Sequence, residues 1–420
     1  MKHKQSIKMK LFLVALALGL VCLAARVMTA RVRGIENAEV AAFVADVTYG
    51  AGDASRVSAF VPESGRRDRP AGYTVRCEGV GEVEVHLKSI YSKCRLSDSR
   101  VLHLDGSSGQ ISLTNLYPDT LYVYRVNSAN GLLKLGAFRT AGQVRMLDVD
   151  GVYNVRDLGG WQTESGTIKY GLIFRGSEMD GEHEIRISEE GIGAMRDAGV
   201  GFDLDLRLDE EVDMDGTGEE PIVSSALGED VGYERIAIEA YLEPWIGAEE
   251  AGSSGESTVE AEVKAAGEAG NEVTGEESGG VSGPENVNAV SVTGGIEGSV
   301  DADGIDRYYR VFRRIFDCVE QGVPVYIHCW GGADRTGTVC LLLEGLLGVS
   351  ESDVVKEYEL TTFAQKFGTR SKDREAFKRM MEYVEGREGA TLTEKFEGIF
   401  LEMGFAEEEI RELRGTVLAE

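Results

Sequence analysis

The sequence predicts two folded units in series: an all-β sandwich, then an α/β domain whose parallel sheet is flanked by helices. Three observations carry that prediction. Residues 31–143 run in short alternating apolar and polar stretches separated by turn clusters, the pattern of strands with one face in a core. From residue 147 to 420, apolar strand-like runs alternate with helical periods, the order that builds an open parallel sheet. Between 247 and 304 the composition breaks, with 13 acidic residues against one lysine and no aromatic residue. Such a stretch cannot bury enough apolar surface to order itself, so it is expected to be a disordered acidic insertion in the second unit.

Residues 1–30 belong to neither unit. Lys2, Lys4, Lys8 and Lys10 precede an apolar run from Leu11 to Ala25, which Arg26 ends before it reaches a comfortable membrane-spanning length. This is the order of a signal peptide. Export to the periplasm or the exterior is the expectation, with an uncleaved N-terminal anchor as the alternative. Cys22 raises lipidation, although Val21 is larger than the residue such sites take before the cysteine. The net charge of −28 argues against nucleic acid and anionic membranes as partners, since both need clustered Lys and Arg.

In the first unit, 81–87 and 121–126 alternate as strands, and the turn clusters 105–109 and 127–131 break them. Leu116-Tyr117-Pro118-Asp119-Thr120-Leu121-Tyr122 resembles the fibronectin type III pattern L-x-P-x-T-x-Y, and Phe138-Arg139-Thr140 resembles the close of such a domain. The resemblance implies an immunoglobulin/fibronectin III-like sandwich in which Tyr122 hydrogen-bonds back across a corner. Nothing catalytic stands out here, so a spacer, or a module docking a protein or glycan, is the expected role. Cys77 and Cys94 lie in this unit, and spacing alone leaves their pairing in an oxidising compartment open.

The second unit opens with Asn154-Val155-Arg156-Asp157-Leu158-Gly159-Gly160, then a strand over 170–176 that ends in Arg175-Gly176. Gly159 and Gly160 read as a turn. Arg156 either pairs with Asp157 or Asp205 to hold that turn or serves the site; Arg175 is equally open. Ser188 caps a predicted helix over 189–198 and Gly199 stops it. A strand over 200–207 ends in Asp205-Leu206-Arg207, with Glu211 beyond, and another covers 233–238. A helix over 307–319 carries Cys318 as a small core residue, as the later helix carries Cys340. Four more helices are expected near 351–362, 373–383, 392–403 and 407–418. The five histidines are scattered, with no zinc spacing. Residues 301–306 fail as a calcium loop, because Asp306 stands where the glycine belongs.

The chemistry concentrates at 328–337. A buried strand over 323–327 leads in, and a good helix former leads out from Thr338. Strand, glycine-bearing loop and helix build an anion cradle, with backbone N–H groups and the positive end of the helix dipole pointing inward. Cys329 and Arg335 have five residues between them. A helix N-terminus and an arginine favour the thiolate, the nucleophilic form of cysteine. The arginine fork binds two oxygens of a tetrahedral oxyanion.

His328-Cys329, five residues, Arg335 and Thr336 resemble the signature of the cysteine-dependent protein tyrosine phosphatases. N-x-R-D-x-G-G at 154–160 and D-L-R-x-x-x-E at 205–211 resemble the bacterial and fungal secreted branch. The resemblance implies an exported phosphatase of phosphotyrosine proteins or small phosphomonoesters. Cys329 would attack phosphorus in line. Arg335 and the N–H groups from Trp330 through Gly331, Gly332 and Ala333 to Arg335 would hold the phosphoryl oxygens. Thr336 would hydrogen-bond the thiolate and His328 would set the loop backbone, with no metal or other cofactor required. Three carboxylates are candidates for the general acid: Asp205 at a strand end, Asp334 inside the loop and Glu239 after a strand. The branch often carries lysine where Ala333 stands, which adds charge for phosphoinositides. Ala333 and the aromatic Trp330 therefore favour aryl phosphate, with a phosphoinositide or dual-specificity phosphatase as the alternative. A catalytically dead phosphoprotein-binding module and a rhodanese-like sulfur transferase are further rivals. Intact Cys329 and Arg335 argue against the first, and His328 with Arg335-Thr336 against the second.

Overall fold

The computed structural model describes residues 30–46, 49–50, 52–77, 81–92, 99–181, 185–212, 222–243, 245–246 and 302–419. The expected leader with Cys22, Cys94 and residues 247–301 of the acidic stretch lie outside them. The N-terminal unit holds β1 (Arg31–Gly34), β2 (Tyr73–Arg76), β3 (Glu82–Ser92), β4 (Ser99–Asp105), β5 (Gln110–Leu113), β6 (Thr120–Ser128) and β7 (Gly131–Ala141). Five of these form one sheet in the order β1-β7-β6-β3-β4, and β2 pairs with β5 in a second. Alternate residues point inward, so Val75 of β2, Ile111 and Leu113 of β5, Val85 of β3, Tyr122 of β6 and Phe138 of β7 share one core. The Tyr122 hydroxyl accepts the Tyr117 N–H at 3.1 Å, closing the corner at Pro118.

The second unit is built on six strands. In chain order they are β8 (Arg145–Met146), β9 (Arg156–Asp157), β12 (Ile173–Gly176), β13 (Phe202–Asp205), β14 (Gly232–Arg235) and β15 (Val325–His328), ordered β14-β13-β15-β12-β9-β8 across the sheet. The first four strands in that order are parallel, β9 runs antiparallel to β12, and β8 runs antiparallel to β9. The sheet is therefore mixed rather than wholly parallel. β8 and β9 are joined by a short reversal, and a parallel return needs a crossover of a dozen residues or more. A hairpin, β10 (Gln162–Thr163) and β11 (Gly166–Ile168), pairs with the C-terminal strand β16 (Leu418–Ala419).

Helices cover the sheet: α2 (Glu189–Ala198), a single turn α3 (Asp209–Val212), α4 (Ala302–Glu320), α5 (Arg335–Leu347), α6 (Glu351–Glu359), α7 (Glu375–Glu385), α8 (Leu392–Met403) and α9 (Glu407–Val417). Ser188 caps α2 by accepting the Gly191 N–H, and Gly199, at φ +91°, ends it as read from the sequence. α4 starts at Ala302, inside the stretch whose composition marks it as insertion. Every residue of α5 after Arg335 is buried, which explains its unbroken apolar sequence Val339-Cys340-Leu341-Leu342-Leu343.

The two units do not meet only at residue 143. Between β1 and β2 the chain leaves its own sheets and crosses the α/β domain, forming α1 (Ala38–Val44) on the way. Val40, Phe43, Tyr49 and Val57 of this crossing join the core of the second unit. Phe43 packs on Phe363 at 5.6 Å between ring centroids, and the Lys356 ammonium donates to the carbonyls of Val44 and Asp46. The sequence reading places these residues within 31–143, the first unit, because a local pattern does not say against what a face is buried.

Candidate active site

β15 lies between β12 and β13, both parallel to it, so the ends of all three strands gather at one edge. The 329–334 loop leaves β15 there and turns into α5. Its carbonyls are gripped from outside: the Leu206 N–H donates to His328 O at 2.8 Å and the Glu178 N–H to Trp330 O at 3.1 Å. The Asn154 amide donates to Gly332 O at 2.9 Å and Gly331 O at 3.3 Å, and Arg175 Nη2 donates to Gly332 O at 2.6 Å. A trans peptide holds C=O and N–H antiparallel. Pinning the carbonyls of residues 330, 331 and 332 therefore turns the N–H groups of Gly331, Gly332 and Ala333 to the inside of the loop. Among the described residues, none of these three N–H groups has a protein acceptor. Gly332 sits at φ +59°, and a Cβ there would lie 2.0 Å from Gly176 O, so the turn requires glycine.

Cys329 is buried at the start of the loop. Arg335, the first residue of α5, is held by Glu211, which accepts from Nη1 and, at 2.6 Å, from Nη2. That end-on grip leaves the Nε–Nη2 edge of the guanidinium for a second anion. Burial works against the Arg335 charge, but Glu211 and Cys329 more than offset it and raise its pKa. Glu211 belongs to the D-L-R-x-x-x-E pattern, and the structure supplies its role: it aims the arginine.

Beneath the loop lies a buried charge network. His328 Nε2 is 3.0 Å from Asp203, and Asp203 and Asp205 outweigh burial to raise the imidazole pKa to about 9. Asp205 accepts from the Arg207 backbone N–H and from Nε and Nη2 of its guanidinium, and from the Tyr233 hydroxyl at 3.0 Å. Burial would raise its pKa, but His328 and Arg207 lower it to about 2. Wholly buried and spent on these partners, Asp205 does not fit the proton donor expected of it; it anchors Arg207 and His328. The same arginine lies 3.0 Å from Glu178 and 2.9 Å from Asp180. Glu178 is buried, and desolvation pushes its carboxyl up to about 7 despite Arg207.

Asp334 stands beside the cradle, 30 % exposed. Arg370 forks it through Nε and Nη2 at 2.7 Å, Arg374 donates at 3.1 Å, and the Tyr241 hydroxyl donates as well. Burial would raise its pKa, but Arg370 and Tyr241 hold the carboxyl below its ordinary range. Glu239 is exposed on the loop after β14 and contributes to the field on Arg335. Ala333 is buried, and Trp330 is 51 % exposed at the rim, edge-on to Phe367 at 5.6 Å. The Thr336 hydroxyl is buried and has no hydrogen-bond partner among the described residues, so the expected bond to Cys329 is not made.

Arg156 pairs with neither Asp157 nor Asp205. Arg156 and Arg175 clamp Glu357 from two sides, at 2.5 and 2.6 Å, and all three are buried. Asp157 pairs instead with Arg145 at 2.8 Å. Gly159 and Gly160 do form the turn: a Cβ on Gly160, at φ +96°, would lie 2.4 Å from Gln143 O. Sequence reading missed Arg370, Arg374, Tyr241 and Glu357. The one visible signal was the basic cluster Lys366, Arg370, Lys372 and Arg374 in an otherwise acidic chain.

A sequence model of the tyrosine phosphatase family matches residues 147–418, the span from just after β8 into β16. Among curated proteins, none matches the chain.

Proposed function

The chain belongs to the tyrosine phosphatase family, and on that footing we propose that it hydrolyses aryl phosphomonoesters, phosphotyrosine in proteins foremost, through a phosphocysteine intermediate. The observation that carries this reading is the outward pinning of three consecutive loop carbonyls, at Trp330, Gly331 and Gly332, above a buried Cys329. Preorganised N–H groups of that kind stabilise phosphoryl charge as it develops. The Cys329 thiolate forms an S–P bond as the P–O bond to the leaving group breaks, and the departing oxygen takes a proton from Asp334, which is protonated in the reactive complex because the bound phosphate's negative charge opposes Arg370 and Arg374. Water then attacks phosphorus, the S–P bond breaks, and the water's proton returns to Asp334. Asp334 is preferred to Asp205 because it is partly exposed at the cradle. Arg335, aimed by Glu211, spans two phosphoryl oxygens.

Trp330, Phe367 and Tyr153 form an aromatic rim suited to a phenol ring. Ala333 adds no charge, and Arg370 and Arg374 are engaged by Asp334, so extra phosphates of a phosphoinositide find little uncommitted charge. In the same reading the protein is exported, and its N-terminal unit is a fibronectin III-like docking module, supported by the Tyr117–Tyr122 corner bond.

The test is release of phosphate from p-nitrophenyl phosphate in EDTA, followed by a panel of phosphotyrosine peptide, phosphoserine peptide and soluble phosphoinositides. Activity is expected to survive EDTA, to vanish in Cys329→Ser, and to favour phosphotyrosine in kcat/KM. A preference for phosphoinositides, or activity that survives Cys329→Ser, sinks the reading.

A further inference from the structure

The strap between Pro62 and Pro70 belongs to the N-terminal half of the chain, yet its polar contacts reach the supports of the catalytic loop. Asp68 is wholly buried. Its carboxylate accepts the Asn154 N–H at 2.6 Å and is forked by Arg66, whose Nε and Nη2 donate at 2.7 and 2.9 Å. Arg66 also donates to Val152 O at 2.9 Å and lies 4.0 Å over the Tyr153 ring, so the strap holds both residues that precede Asn154. The Arg67 N–H donates to Phe363 O at 2.7 Å, and the Gln365 amide to Pro62 O at 2.5 Å, fastening the strap along its length.

Asn154 is where this grip matters. Its φ of +61° is left-handed, a conformation that a residue other than glycine keeps only when its surroundings impose it. From that turn its amide reaches the carbonyls of Gly331 and Gly332, the contacts that turn two cradle N–H groups inward. We propose that Asp68 is a positioning residue for the phosphate cradle: by holding the Asn154 N–H it fixes the turn that presents the Asn154 amide to the loop. The N-terminal half of the chain thereby completes the active site of the C-terminal half. The catalytic readout of this proposal rests on the phosphatase reading; its anion-binding readout does not.

The test compares full-length wild type with Asp68→Leu, Asp68→Asn and Arg67→Ala. Two quantities are read: kcat on p-nitrophenyl phosphate per mole of Cys329 that iodoacetate alkylates in a tungstate-protectable manner, and tungstate affinity by calorimetry. Asp68→Leu removes the acceptor and is expected to lower kcat per active thiol by about tenfold or more, and to weaken tungstate similarly. Asp68→Asn keeps an acceptor for the Asn154 N–H and should stay within about threefold of wild type. Arg67→Ala, which removes the pair with Glu39 and the side-chain bonds to the Gly65 and Arg66 carbonyls but keeps the backbone N–H that donates to Phe363 O, should match wild type. A residue that merely stabilised the fold would lower the melting temperature and the number of active thiols while leaving kcat per thiol and tungstate affinity unchanged; that result overturns the proposal. Should Asp68→Leu fail to fold, Asp68→Glu shifts the carboxylate by one methylene and takes its place, with the same expected loss and the same overturning result. If the wild type hydrolyses no phosphomonoester, the phosphatase reading falls and tungstate affinity alone decides on Asp68.

Discussion

Two carboxylates in the same site serve different ends. Asp205 is sealed beneath the loop by Arg207, Tyr233 and His328, whereas Asp334 sits at the cradle's edge between Arg370 and Tyr241. In the proposed mechanism only the second meets the leaving oxygen. General acid catalysis contributes about 10²–10⁴-fold and matters most for poor leaving groups. Asp334→Asn is therefore expected to slow phenyl phosphate at least tenfold more than p-nitrophenyl phosphate. Asp205→Asn should slow both alike, through a loosened Arg207. Steady-state kinetics on the two substrates reads the difference, and a leaving-group effect confined to Asp205→Asn would restore Asp205 as the acid.

At the scale of elements, the adjacent ends of β13 and β15 make a charge cluster that depends on pH. His328 ends β15, and Asp203 and Asp205 lie in β13 against it. Its imidazole pKa is raised from 6.5 to about 9, so the folded state binds the proton more tightly than the unfolded chain does. That contribution, roughly 3 kcal/mol, is fully present below about pH 6.5 and is lost as pH rises through 9. Glu178, raised from 4.5 to about 7, has the same sign and loses its contribution between those values. Asp205, lowered from 3.8 to about 2, opposes them only in acid, where its contribution disappears as pH falls through 2. Thermal melts should thus show stability falling between pH 6 and pH 9.5, and His328→Asn should flatten the fall above pH 7. An unchanged slope in that variant would show that the imidazole is not the titrating group.

For the whole molecule, the consequence is that the catalytic domain borrows part of its core from the N-terminal half. Phe43 is wholly buried between Phe60 and Phe363, with ring centroids 5.5 and 5.6 Å away. Emptying such a site costs about 3–5 kcal/mol. Phe43→Ala is expected to lower the stability of the α/β domain by that amount in denaturant unfolding followed through catalytic activity. If the N-terminal half were only a tethered neighbour, the catalytic unit would unfold at an unchanged midpoint.

How much was legible follows from which features are local. The shape of the 328–337 loop could be read because it is local: strand end, cysteine, glycine turn, arginine and helix start lie within ten consecutive residues, and backbone geometry follows from their order. The caps of α2 and the glycine turn at 159–160 could be read for the same reason, since a cap or a turn involves neighbours along the chain. The charge partners could not. In the sequence Arg156 looks able to meet Asp157 or Asp205, and only the tertiary structure brings Glu357, 201 residues away, to within 2.5 Å of it. Asp68 carries no motif at all. Its contact with Asn154 exists because the chain between β1 and β2 crosses to the other unit, and the partner of a buried charge is set by topology, which no local pattern encodes.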